Sequence, residues 1–178
     1  MVTVPDERAI PDRDASRPAA RQVVEDVHAR HGQQLFGFVR RLGLGDEEAS
    51  DITQEALLRL WRVCRDSEAP DRPPAWTFRT AYRLAMDRHR LRRRWTALLG
   101  THRPPDRERG EHRDDLLAVW SEVDRLPERQ RQVLYLRYRA DLPFEDIGNV
   151  LGIDASTARA NGSRGIASLR ERLAEEDG

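Results

Sequence analysis

Three groups of side chains in this sequence have the types and spacing to do chemistry, and in each the chemistry is binding. The first is the run Asp51-Ile52-Thr53-Gln54-Glu55-Ala56-Leu57-Leu58. Helical positions three, four and seven apart share a face, so Asp51, Gln54, Glu55 and Leu58 form one ridge opposite Ile52 and Leu60. Two carboxylates and an amide around a leucine suit a protein partner. A plain solvated face has the same spacing, and the pattern alone leaves both open. The second group lies between Trp76 and Arg94, where Arg79, Arg83 and Arg90 fall on a surface separate from Phe78, Ala81 and Ala85, with Trp76 and Thr80 alongside. Guanidinium forks, an indole and a hydroxyl suit a nucleic-acid backbone with unstacked bases. A basic amphipathic helix can also lie on an anionic membrane, but the apolar face here is modest and is needed for packing. The third group spans Ile147 to Arg159 and continues to Arg170. Two apolar segments are joined there through Gly152, and three arginines and no acid lie between Ala155 and Arg170. A recognition helix reads base edges through its N-terminal residues, although the same helical hairpin could serve protein contact.

Enzyme chemistry has no comparable support. The sequence has no phosphate-binding glycine loop, no His-Glu-x-x-His pair and no nucleophile beside a base, so no catalytic residue, cofactor or metal is expected. His28 and His31 stand three apart without a third ligand and read as packing or interface residues, while His102 and His112 fall in a charged connector. The single cysteine, Cys64, excludes an internal disulfide and a cysteine-clustered zinc site and reads as a small buried residue.

The elements that must position these groups are helical. The chain has 178 residues, with 31 basic and 31 acidic side chains, and every basic residue is arginine. The zero net charge hides an uneven distribution. Residues 21–98 carry 15 arginines against 11 acids, residues 115–178 carry 9 against 12, and the stretch 79–94 has seven arginines against Asp87 alone. The patch is the signal of a nucleic-acid partner, not the total. No apolar run reaches the ~18–20 residues of a membrane span and no leader-like stretch opens the chain, so a cytoplasmic location is expected.

Residues 1–20, with Pro5, Pro11 and Pro18, read as a disordered tail. Apolar positions from Val24 to Leu42 follow helical spacing and stop at Gly43-Leu44-Gly45. Asp46 is a candidate cap for a second helix running to about Cys64, and a Pro-rich loop over 65–74 precedes a third helix from about Trp76. Residues 99–114 are charged and almost free of apolar side chains; they read as a flexible linker that would let the two halves move independently. Four short helices follow in 115–178, opened by features such as Pro127, Pro143 and the candidate cap Asp154, with helix-turn-helix spacing at the end. No strand-like alternation appears. The expected fold is all-α, two small helical domains (21–98 and 115–178) joined by a flexible linker.

Taken together these residues resemble extracytoplasmic-function RNA polymerase sigma factors. Asp51 to Trp61 looks like the polymerase-binding helix of that family, and Trp76-Thr77-Phe78-Arg79-Thr80-Ala81 through Asp87-Arg88-His89-Arg90 resembles its promoter-melting helix. Leu126-Pro127-Glu128-Arg129-Gln130 through Tyr138, followed by Leu142-Pro143-Phe144-Glu145-Asp146-Ile147 and the turn, is similar to sigma region 4. The resemblance covers about residues 21–173 in family order. It implies a sigma region 2 helical bundle and a sigma region 4 helix-turn-helix, and a promoter-directing function.

In that reading Asp51, Gln54, Glu55 and Leu58 bind core RNA polymerase at the beta-prime clamp, and the beta flap is a further contact. Loop 65–75 with Trp76, Arg79, Thr80, Arg83 and Arg90 binds the −10 element and holds a flipped base, while Ser156, Thr157, Arg159 and Arg164 read the −35 element. The linker threads toward the polymerase cleft. Promoter DNA and core polymerase are then the partners, an anti-sigma protein is a third, no membrane is involved, and the free chain is a monomer. The alternative is a stand-alone helix-turn-helix regulator, but such proteins usually dimerise on two half-sites, and no dimer seam is visible.

Two departures from the family pattern stand out. Arg83 occupies a position where the family usually has a small polar residue. The last helix carries Ala158, Gly162 and Gly165, and interior glycines cost roughly 0.5–1 kcal/mol each relative to alanine. The sequence therefore predicts thinner packing beneath that helix and weakened −35 binding.

Overall fold

The computed structural model describes residues 13–99 and 117–176, and every regular element among them is an α-helix. The first half is a three-helix bundle of α1 (Arg13–Arg41), α2 (Asp46–Asp66) and α3 (Pro73–Leu99). The second holds α4 (Leu117–Asp124), α5 (Glu128–Tyr138), α6 (Phe144–Leu151) and α7 (Ala155–Glu176). The all-α expectation is met among these residues. Helix α1, however, begins at Arg13, inside the stretch expected to be a tail, and Ala20 is buried against Val27, Leu60 and Cys64. Residues 1–12 and nearly all of the expected linker lie outside the described residues.

Apolar spacing decides which faces meet. Leu35, Phe38 and Val39 of α1, Ala49, Ile52 and Ala56 of α2, and Phe78, Ala81 and Ala85 of α3 are buried together. Alanines on two of the three helices let the axes come close around the large side chains Leu35, Phe38 and Phe78. Chain reversal between α1 and α2 uses Gly43 at φ 89°, a backbone conformation open to glycine without steric cost. Arg40 locks this turn, donating to the Leu44 carbonyl at 2.6 Å and lying 2.5 Å from Asp46 Oδ1. Asp46 is therefore not a side-chain cap: Gly45 holds the N-cap position, no side chain caps the helix, and the Asp46 carboxylate turns back to Arg40.

In the second half, α6 and α7 are joined by Gly152, which takes the left-handed conformation at φ 67°. Gly148 completes the turn by close approach, since a β-carbon there would sit 2.6 Å from the Ile153 carbonyl oxygen. Ile147, Val150, Leu151 and Ala158 are buried in the seam between these helices and α5.

The two halves share one continuous core. Tyr135 of α5 stacks on Phe38 of α1 at 6.0 Å between ring centroids and donates a hydrogen bond to the Gln34 carbonyl at 3.0 Å. The Arg41 guanidinium lies over both the Tyr135 and Trp120 rings, at 4.8 and 5.6 Å, and pairs with Asp124 at 3.2 Å. Arg72, just before α3, bonds Asp146 of α6 at 2.8 Å, and Arg129 donates to the Tyr82 hydroxyl at 3.1 Å. Independent movement of the halves was expected because the linker has nothing apolar to pin them. The structure instead shows the halves packed together, through helical residues of α1, α3, α4, α5 and α6 and through Arg72 just ahead of α3.

Candidate polymerase and promoter interface

The ridge on α2 follows from its opposite face. Ile52, Ala56 and Leu60 are nearly or fully buried, which turns Asp51, Gln54 and Leu58 outward; Leu58 is 49% exposed. Glu55 is partly covered and accepts from Arg59 Nε at 2.7 Å, with Arg62 at 3.9 Å. The hydrogen bond from Arg59 holds the Glu55 carboxyl below its ordinary range, so the ridge presents ionised carboxylate at neutral pH. The ridge is thus a mixed surface, an exposed leucine with acids on one side and two arginines nearby.

Helix α3 has the two faces that spacing predicts. Phe78, Ala81 and Ala85 are buried, and Arg79, Arg83 and Arg90 are exposed on another side. Arg79 and Arg83 have no ion-pair partner among the described residues, whereas Arg90 is paired with Asp87. Trp76 and Thr80 are less available than expected. Trp76 is half-buried against the Val27, Leu60 and Cys64 cluster, and the Thr80 hydroxyl donates to the Trp76 carbonyl at 2.9 Å. Near the start of the helix the cationic surface is thus formed by Arg79 and Arg83. Beyond them α3 continues into Arg88, Arg92, Arg93 and Arg94, of which Arg92 is bound to Glu48 of α2.

On α7, Ser156, Thr157, Arg159 and Arg164 are all exposed, Arg159 at the edge that borders the start of α6. Arg159 is restrained there, lying over the Phe144 ring at 5.4 Å and 3.4 Å from Glu145. Arg164 Nε donates to the Ala160 carbonyl at 3.3 Å. The expectation of thin packing beneath this helix is wrong. Ala158 is fully buried, and a β-carbon at Gly162 would meet the Phe144 ring at 3.2 Å. At Gly165 it would meet Leu134 Cδ1 at 2.9 Å. These small residues let α7 sit close on α5 and α6; they are contact points, not gaps.

Three residues at the interface between the halves were not singled out in the sequence: Arg72, Tyr135 and Asp146. Asp146 is only 7% exposed, unusual for a carboxylate on a short helix, and Arg72 is its cation. Burial pushes the Tyr135 phenol up to about 12. Of the histidines, His31 is edge-on to Phe78 at 6.4 Å, and burial, followed by nearby Arg30, lowers its pKa against an opposing pull from Asp141. Among the described residues no cluster of His, Cys, Asp or Glu could hold a metal, and no helix is long and apolar enough to cross a membrane.

With this geometry in hand, comparison with known proteins is decisive. The chain matches the family model described as Sigma-70 region 2 over residues 27–96 and that described as Sigma-70, region 4 over residues 123–171. It belongs to the sigma-70 family, as an extracytoplasmic-function RNA polymerase sigma factor. It is 28% identical over 159 residues to the ECF sigma factor SigE of Mycolicibacterium smegmatis, covering 85% of this chain and 62% of that one. It is 29% identical over 167 residues to the sigma factor CarQ of Myxococcus xanthus, covering 89% and 94%. Among solved structures, CnrH in complex with the cytosolic domain of CnrY matches with a TM-score of 0.58 and 26% identity, covering 93% of this chain and 100% of that one. The sigma factor RpoE of Bartonella quintana, solved with the anti-sigma factor NepR, shares the fold with a TM-score of 0.61 at 20% identity over 88% and 94% of the two chains. The ridge and the arginine stripe fall within the region 2 match, and the exposed face of α7 within the region 4 match.

Proposed function

We propose that this sigma factor docks on core RNA polymerase through the α2 ridge and carries two DNA-reading surfaces to a promoter. Asp51, Gln54, Glu55 and Leu58 grip the beta-prime clamp, and the second half meets the beta flap. Arg79 and Arg83, with Arg90 once released from Asp87, hold the backbone of the −10 strand, and the exposed part of Trp76 faces an extruded base. Ser156, Thr157, Arg159 and Arg164 enter the −35 major groove. Bond-making belongs to the polymerase; this chain supplies affinity and address, in the cytoplasm. An anti-sigma protein that covers these surfaces is the natural antagonist; RpoE was solved with the anti-sigma factor NepR, and CnrH with the cytosolic domain of CnrY.

The observation that carries this reading is the half-exposed Leu58, one turn beyond Glu55 and two beyond the exposed Asp51, on a helix whose other side is packed. Such a residue gains by being covered, and the fold leaves it uncovered. Reversing charge with Asp51→Arg and Glu55→Arg should abolish co-purification with core polymerase and run-off transcription from a matched promoter, with helix content unchanged. Full polymerase binding by the doubly reversed chain would refute the assignment.

A further inference from the structure

One aromatic ring organises the exposed end of the helix-turn-helix. Phe144, the first residue of α6, lies where the last turn of α5 and the start of α7 converge. The guanidinium groups of Arg137 and Arg159 both lie over its ring, at 5.6 and 5.4 Å from the centroid. We propose that Phe144 is the positioning residue of the duplex-reading surface. It holds both cations in place before DNA arrives, and DNA oxygens take the N–H groups that the ring leaves free. The proposal rests on the −35 reading of α7 given above.

A ring face and a carboxylate restrain a guanidinium differently. The face attracts the cation through its quadrupole and takes none of the in-plane N–H donors, whereas a carboxylate closes on those donors. At other rings of this chain the two act together. Arg65 lies over Trp61 at 4.6 Å, and both arms of its fork are closed by Asp66, at 2.7 and 2.9 Å. Arg41, largely buried over Tyr135 and Trp120, pairs with Asp124. At Phe144 the polar contacts are long and exposed. Arg159 meets Glu145 at 3.4 Å with both side chains more than half exposed, and Arg137 meets the Leu142 carbonyl at 3.3 Å and Asp141 at 3.9 Å. Exposed contacts of that length are worth little and are readily exchanged for a DNA oxygen. These two cations are thus ordered by the ring yet left short of acceptors, and a polyanion completes the arrangement.

The ring is itself fixed. Phe144 packs on the main core, and a β-carbon at Gly162 would stand 3.2 Å from its Cε1 and 3.4 Å from its Cζ. Gly162 therefore belongs to the same device, since it admits the ring beneath the helix that carries Arg159. Ordering one long side chain at an interface costs roughly two- to tenfold in affinity, so two arginines ordered in advance spare about tenfold.

The test uses the full chain in two measurements, heteronuclear NMR of the arginine Nε–H groups and anisotropy binding to a short fluorescent duplex of random sequence at low salt. In the free wild type, the Arg137 and Arg159 Nε–H protons, identified by their loss in Arg137→Gln and Arg159→Gln, should be shifted upfield by the ring current. Phe144→Leu should return them to the ordinary arginine position with helix content unchanged, and Gly162→Ala, which moves the ring without removing it, should change both shifts. Phe144→Leu should also weaken duplex binding about tenfold although it removes no charge. In a chain already carrying Arg137→Gln and Arg159→Gln, the same substitution should change affinity by less than about twofold, because the ring then has nothing to position. Unshifted arginine protons in the wild type would overturn the proposal. A tenfold loss that persists in the doubly substituted chain would overturn it too, since the ring would then act through the fold alone. If the protons shift as expected while Arg137→Gln and Arg159→Gln leave duplex binding unchanged, the ring positions its cations and the −35 assignment of α7 is what fails.

Discussion

Substituting Gly165 by alanine separates two ways of reading the same helix. On sequence alone a glycine in the interior of α7 weakens it, and replacement should stabilise the chain by roughly 0.5–1 kcal/mol. The structure reverses the sign. The new β-carbon would lie 2.9 Å from Leu134 Cδ1, 3.1 Å from Leu134 Cγ and 3.4 Å from Gln130 Cβ. Leu134 is 1% exposed and held among Val123, Leu126 and Leu169, so it has no solvent side to swing toward. Overpacking a filled core by one methyl costs typically ~1–3 kcal/mol. Set against the propensity gain, a net loss of about 1 kcal/mol follows for Gly165→Ala, a fall of roughly 4–8 °C in Tm for a unit of this size. Ser163→Ala is the matched control. It lies on the exposed face of the same helix, meets no such wall, and should raise stability by a few tenths of a kcal/mol, as expected from about the same propensity difference. Thermal unfolding followed by circular dichroism compares the two. If Gly165→Ala raises Tm as much as Ser163→Ala does, the close approach of α7 to α5 is not what the glycine is for, and the sequence-level account of a weakened helix is restored.

Other consequences concern the interface between the halves and the turns. Tyr135 is neutral and buried with its pKa pushed up to about 12; a raised pKa means that its contribution is intact below about 10, the ordinary tyrosine value, and is lost between about 10 and 12 as the unfolded state ionises first. Phenolate absorbance should therefore show a late-titrating tyrosine, and Tyr135→Phe should remove it. Cys64 is buried and its thiol pKa is raised by that burial, so a disulfide reagent at pH 8 should react with the native chain far more slowly than with the urea-unfolded one. Arg40→Met keeps the buried stem but strands the Leu44 carbonyl and releases Asp46, which should cost about 1–3 kcal/mol in denaturant unfolding with no change in the α2 ridge.

Much of this was legible from residue spacing because single helices report their own faces. The burial of Ile52, Ala56 and Leu60, the outward turn of Asp51 and Leu58, and the separation of Arg79 and Arg83 from Phe78 and Ala81 are all consequences of a 3.6-residue period. What spacing could not report is anything set by a neighbouring element. Trp76 has the right period to stand beside the arginines, yet its ring is drawn into a cluster built by α1 and α2. Thr80 is on the expected face, yet its hydroxyl is committed to the Trp76 carbonyl of its own helix. Gly162 and Gly165 look like defects until the Phe144 ring and Leu134 are brought within contact distance. Arg40 is a buried clasp on a turn that periodicity does not mark, because the carbonyl it serves is four residues ahead around a bend.

The docking of the halves was written in the sequence in a form easily passed over. Residues 21–98 hold an excess of arginine and residues 115–178 an excess of acid, and the zero net charge of the chain is the near-cancellation of the two. Across the interface, ion pairs among the described residues run in that sense, from Arg41 to Asp124 and from Arg72 to Asp146, with the cation from the first half. A basic domain that must find DNA carries its own acidic counterweight on the domain tied to it. Strong intramolecular pairing raises the effective concentration of that counterweight far above any free anion in solution. Charge reversal tests that pairing directly: Arg72→Asp should destabilise the chain in denaturant unfolding, and Arg72→Asp combined with Asp146→Arg should recover much of the loss. No recovery in the double variant would mean that Tyr135 and Phe38 hold the halves together by packing alone.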